Sequence, residues 1–124
     1  MSEENVSAFG WNELEFLSWK EFRSMAPAII TLEINRIGRL LDTYSPELKV
    51  HNALVKGRYE MKQFVEKLER VEGPPLPPDF AAHLQAAILA LSFSAHHLPE
   101  TFQQELAYIL DRLNYIFRRI DLIY

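Results

Sequence analysis

Chemistry in this chain would start either from a carboxylate out of place or from a cluster of imidazoles. Glu33 is the carboxylate. Ile29, Ile30, Ile37, Leu40 and Leu41 recur at helical spacing, and Glu33 falls in the middle of that apolar stripe while Leu32 points away. A carboxylate removed from water must find a cation, find hydrogen-bond donors, or take up a proton. Arg36, or a basic residue from another helix, is the expected partner. The alternative is a functional acid: a small helical-bundle enzyme or ligand-binding protein with Glu33 and a histidine lining an internal pocket.

The imidazoles offer less. His83, Ala90 and His97 repeat by sevens, which sets the two rings about 21 Å apart along a helix, too far to share an ion. His96 and His97 are adjacent and point about 100° apart. The chain has no H-x-x-x-H or H-E-x-x-H spacing and no inward Glu-x-x-His pair of the kind that holds metals in helical bundles. It has no G-x-S-x-G elbow, and its four glycines, Gly10, Gly38, Gly57 and Gly73, stand isolated rather than in a phosphate-cradling loop. With no cysteine, disulfides, thiolate metal sites and cysteine nucleophiles are excluded. The expectation is no catalytic constellation, no metal and no cofactor, which leans against an enzyme.

Recognition chemistry is better represented. Tyr108, Tyr115 and Leu122 sit seven apart, with Arg112 and Arg119 beside them. Tyrosine and arginine are enriched at the centres of protein interfaces. Leu89 and Phe93 add apolar area on the back of a neighbouring segment. These seven residues form the expected partner-binding set, the partner being another protein, a second copy of the chain, or both. The competing expectation is that the tyrosine stripe packs on the first helix or on the N-terminal lead. Thirteen basic against seventeen acidic residues give a net charge of −4, which argues against nucleic acid. Arg112, Arg118 and Arg119 are diluted by Asp111 and Asp121.

The elements that would position these residues are helices. Residues 80–98 carry no Asp, Glu, Lys or Arg in a chain that is 24% charged. Apolar positions on two sides predict a helix buried on both flanks, with Asp79 as its N-cap. Six polar residues in the run argue against a membrane span. Earlier in the chain, Asn12 and Glu15 suggest a capping box for a helix reaching Met25, and Pro27 suits the first turn of a second helix ending near Tyr44. Ser45-Pro46-Glu47 restarts a third, which runs to about Val71. There Leu54, Met61 and Leu68 interleave with Val50, Gly57, Phe64 and Val71 as a heptad seam, and Gly57 marks close approach of a neighbouring helix. Leu48, Val55 and Tyr59 on its other side suggest that its first half is covered twice.

A proline-rich connector over residues 73–78 separates this hairpin from a second one, formed by the uncharged helix and a last helix from about Pro99 to Ile123. The fold expected is all-α: an up-down bundle of four to five helices built from two hairpins. One domain spans 1–124, with 1–10 a loosely ordered lead. The acidic, polar N-terminus and the lack of cysteine point to a soluble cytoplasmic protein. The leading function is a small intracellular adaptor or regulatory protein, homodimeric, acting through protein–protein contact.

Overall fold

A computed structural model of the chain describes residues 17–124. The expected lead and the Asn12/Glu15 capping box lie outside the described residues. Among the described residues four α-helices form: α1 (Trp19–Thr43), α2 (Leu48–Arg70), α3 (Ala82–Ala95) and α4 (Glu100–Arg119). A 3-10 turn over Ile120–Leu122 follows. The bundle is all-α, as expected. Each helix packs on its neighbours in sequence and α4 closes back onto α1. The tightest pairing is α2 with α3.

α1 replaces two expected helices. Pro27 lies inside it rather than at a start. An interior proline removes one hydrogen bond and costs about 3 kcal/mol. Here the carbonyl it strands belongs to Arg23, which is exposed and can turn to water. Continuing the helix keeps Phe22, Ala26, Ile29 and Ile30 on one buried face, and burying such side chains stabilises by about 1.5–3 kcal/mol each for the larger ones. Burial therefore outweighs the proline. The working cap is Ser18: the Glu21 N–H donates to Ser18 Oγ (3.1 Å), and the Ser18 N–H donates to Glu21 Oε1 (3.1 Å). The Ser18 N–H and the Ser18 hydroxyl (3.0 Å), both donating to Glu21 Oε1, hold the Glu21 carboxyl below its ordinary pKa. Ser18→Ala is expected to lower stability by about 1 kcal/mol, readable as a fall in Tm.

Two other expected caps fall elsewhere. α2 begins after Glu47, not Ser45, and α3 after Ala81, not Asp79. Asp79 is instead engaged by Lys67, whose Nζ donates to Oδ2 (2.9 Å) and to the backbone oxygen (3.3 Å). Its carbonyl also accepts from the Ala82 N–H (3.1 Å), winding a turn ahead of α3.

The heptad seam of α2 is the centre of the core. Val50, Leu54, Gly57, Met61, Phe64 and Leu68 are all buried. Gly57 is the point of closest approach to α3: a Cβ there would stand 2.7 Å from Leu91 Cδ2 and 2.9 Å from its Cγ. At one end of the bundle Trp19, Phe22, Phe64 and Phe80 pack ring against ring, with centroids 5.4–6.5 Å apart. At the other, Tyr44 meets Phe102 at 4.9 Å, joining the end of α1 to the start of α4. The C-terminus is stapled to the entrance of α1 by a parallel bridge between Leu17 and Ile123, where the Tyr124 N–H donates to the Leu17 oxygen (2.9 Å).

Candidate interaction surface

The uncharged helix is buried on one side only. Leu84, Ala87, Leu91 and Ser94 face inward, whereas Leu89 is 65% and Phe93 42% exposed. The expectation of burial on two flanks is thus corrected, for a geometric reason. Among the described elements α3 packs only on α2 and α4, and neither reaches its back. The outer stripe of α2, expected to be covered twice, is likewise open at Leu48, Val55 and Tyr59.

The tyrosine stripe of α4 divides. Tyr115 (4% exposed), Arg112 and Arg119 are buried within the chain, Leu122 is half-buried, and Tyr108 remains 42% exposed. Arg119 lays its guanidinium over the Tyr115 ring at 4.8 Å. Arg112, Tyr115 and Arg119, expected on a partner's surface, are taken up within the chain itself, Arg112 beside Glu33 of α1.

Glu33 explains the arrangement. It is wholly buried on α1, with Arg112 Nε 3.5 Å from one carboxylate oxygen and Arg36 Nε 3.2 Å from the other. The bland expectation named Arg36 or a cation from another helix; both are present. Arg112 also donates from Nη1 to the Tyr108 hydroxyl (2.7 Å), and both guanidiniums stand over the Tyr108 ring at 4.9 and 5.3 Å. Burial raises the Glu33 pKa, against the opposing pull of Arg112, Arg36 and Arg39 and with a small addition from Glu105. The cluster locks α1 to α4.

One further polar contact escapes sequence reasoning. His83 on α3 places Nδ1 2.6 Å from Glu60 Oε1 on α2, and Lys56 Nζ lies 3.8 Å from the other Glu60 oxygen. A carboxylate-oriented imidazole is the base half of a hydrolytic triad, but among the described residues no serine or threonine is bonded to it. No group of three or more potential metal-ligating side chains gathers among the described residues. The signal for the pair was present as a histidine on the flank of α3 and an acid on the flank of α2, but their register depends on how the two helices dock.

Among the described residues a shallow groove of about 350 Å³ lies between α2 and α3, lined by Ala53, Lys56, Ala86, Leu89, Ala90 and Phe93. It is almost entirely apolar. A groove of about 320 Å³ between α1 and α2 is bordered instead by Lys62, Glu66 and Glu69. No family model, curated protein or solved structure matches the chain. Function must then be read from the surface itself. Among the described residues no helix is long and apolar enough to cross a membrane.

Proposed function

We propose that this chain is a small intracellular adaptor or regulatory protein that works by binding protein, and that its contact face is the outward side of α3 with the adjoining edge of α2. The observation that carries this is the pairing of Leu89 and Phe93, both exposed, with an apolar groove beside them on a helix that has no charged residue. Exposed apolar patches with room for a complementary side chain mark contact sites on small proteins. Tyr108, half-exposed over the Glu33 cluster, is a secondary contact point. The enzyme reading has weaker support: Glu33 is flanked by Arg36 and Arg112, and neither groove described above is lined by it.

The test is parallel affinity capture from native extract with the wild-type chain and with Leu89→Asp, followed by mass spectrometry. Leu89 is on the surface, so the variant should fold with an unchanged Tm. Proteins retained by the wild type and lost by the variant are expected. Identical captured sets would remove the α3 face from the reading.

A further inference from the structure

The outward face of α3 has a pattern beyond being apolar. Ala82, Ala86, Leu89 and Phe93 follow the alternating four–three spacing of a heptad seam, and all four point away from the core side held by Leu84, Ala87 and Leu91. The seam is graded. Its N-terminal half is two alanines and its C-terminal half a leucine and a phenylalanine. We infer that this face is the self-association surface of the protein, where α3 of one copy packs antiparallel on α3 of a second about a two-fold axis between residues 87 and 88. The inference rests on the protein-binding reading above and names the partner as a second copy of the chain.

Three observations select this occupant and orientation. A two-fold interface requires that if residue i meets j, then j meets i. With the axis between 87 and 88, Leu89 meets Ala86 of the other copy and Phe93 meets Ala82, so every large side chain faces a small one. A parallel pairing would set Phe93 against Phe93 and Ala82 against Ala82, crowding one end and leaving a gap at the other. Next, the receiving hollow is beside the protruding side chain on the same molecule: the groove lined by Ala86, Ala90, Ala53 and the Lys56 stem adjoins Leu89 and Phe93. Such a patch is complementary to itself. Finally, α3 itself carries no charge to repel its own copy, and Lys56, the one charged residue lining the groove, lies 3.8 Å from Glu60 of its own chain.

The size of the patch sets the strength. α3 has 14 residues, about 21 Å of helix, so with the α2 edge the contact falls at the low end of specific interfaces. Dissociation on the order of micromolar is expected.

The chain has no native cysteine, so single cysteines report the register directly. Residue 86 lies about 4–5 Å along the axis from its own copy in the antiparallel pair, and residue 82 about 16 Å. Cα atoms must come within about 7 Å for a disulfide. Under mild oxidation of the full chain at tens of micromolar, Ala86→Cys should cross-link to a covalent dimer and Ala82→Cys should not. Sedimentation of the wild type should show monomer giving way to dimer over the same range, with Leu89→Asp weakening association at least tenfold. Equal cross-linking by both cysteines would overturn the antiparallel register. A wild-type monomer at 100 times the expected dissociation constant would overturn self-association. If Leu89→Asp still loses captured proteins from extract in that case, the broader protein-binding reading survives without the dimer.

Discussion

Replacing Arg112 by methionine is expected to destabilise the fold by about 3–5 kcal/mol at pH 7, the usual consequence of stripping one partner from a buried ion pair. Methionine keeps most of the length and apolar bulk of the arginine stem, so the loss is electrostatic rather than a cavity. Glu33 then retains only Arg36 at close range, and Arg36 is partly open to solvent. The effect carries a pH signature. Burial already raises the Glu33 pKa above its ordinary value of 4.5. Between that value and the raised one, the folded chain holds a proton that the unfolded chain has released. Folding stability from this group is therefore fully present below the ordinary value and is lost as pH rises through the raised one. Arg112 is the strongest pull in the opposite direction, so removing it extends the window toward neutrality. Urea unfolding at pH 5 and pH 7 should show a smaller deficit for Arg112→Met at the lower pH, where Glu33 can take up its proton. Tyr108→Phe, which removes only the hydroxyl bonded to Arg112, should shift stability by about 1 kcal/mol with no such pH dependence. Pairing Arg112→Met with Glu33→Leu should recover most of the loss, because apolar replacement of a whole buried pair is often neutral or better. An Arg112→Met deficit equal at both pH values would show that Glu33 does not depend on it.

How far these features were legible in the sequence depended on whether the signal was local. The heptad seam of α2 was, since Leu54, Met61 and Leu68 repeat regardless of what they face. The misfit of Glu33 was legible too, because an acid in an isoleucine stripe has few physical outcomes. Its second cation was not, since Arg112 is nearly eighty residues away and stood out only as a polar member of a tyrosine stripe. The same stripe shows why amphipathic area alone misleads. Tyr115 and Arg119 look like interface residues because they are amphipathic, yet amphipathic side chains are also taken up within a chain's own fold, as these two are with the Arg119 guanidinium over the Tyr115 ring.

The helix boundaries failed for a related reason. Pro27 carries a correct local preference, but a preference of about 3 kcal/mol yields when one continuous helix keeps a row of isoleucines buried. The back of α3 failed differently. Absence of charge fits burial on two flanks and equally an open apolar face, and which of the two holds depends on the neighbours of α3, which no local pattern in residues 80–98 carries.

The Gly57→Ala variant joins the core to the surface. In an exposed helix interior this exchange would stabilise by about 1 kcal/mol, because alanine is the better helix former. At this position the new Cβ would stand 2.7 Å from Leu91 Cδ2 and 2.9 Å from Leu91 Cγ, both well inside contact distance. Leu91 is fully buried, and the clash reaches its branching carbon as well as a methyl, so a simple rotation does not relieve it. The helices must part or α3 must turn. Overpacking of this kind costs about 1–3 kcal/mol, and in a seam this tight it should exceed the propensity gain of about 1 kcal/mol, leaving a net loss of up to about 2 kcal/mol in urea unfolding. Leu91→Ala alone should cost about 2–5 kcal/mol through its cavity. The double variant should lose clearly less than the two single losses added, since each change accommodates the other. A rise in stability for Gly57→Ala by the full propensity increment would show that α2 and α3 do not approach so closely. The contact matters beyond stability because Gly57 and Leu91 fix the rotation of α3 about its own axis. Leu89 and Phe93 face outward only while Leu91 is seated against Gly57, so the same methyl that loosens the seam should also weaken association of two copies. Sedimentation of folded Gly57→Ala, compared with wild type at the same concentration, measures that link.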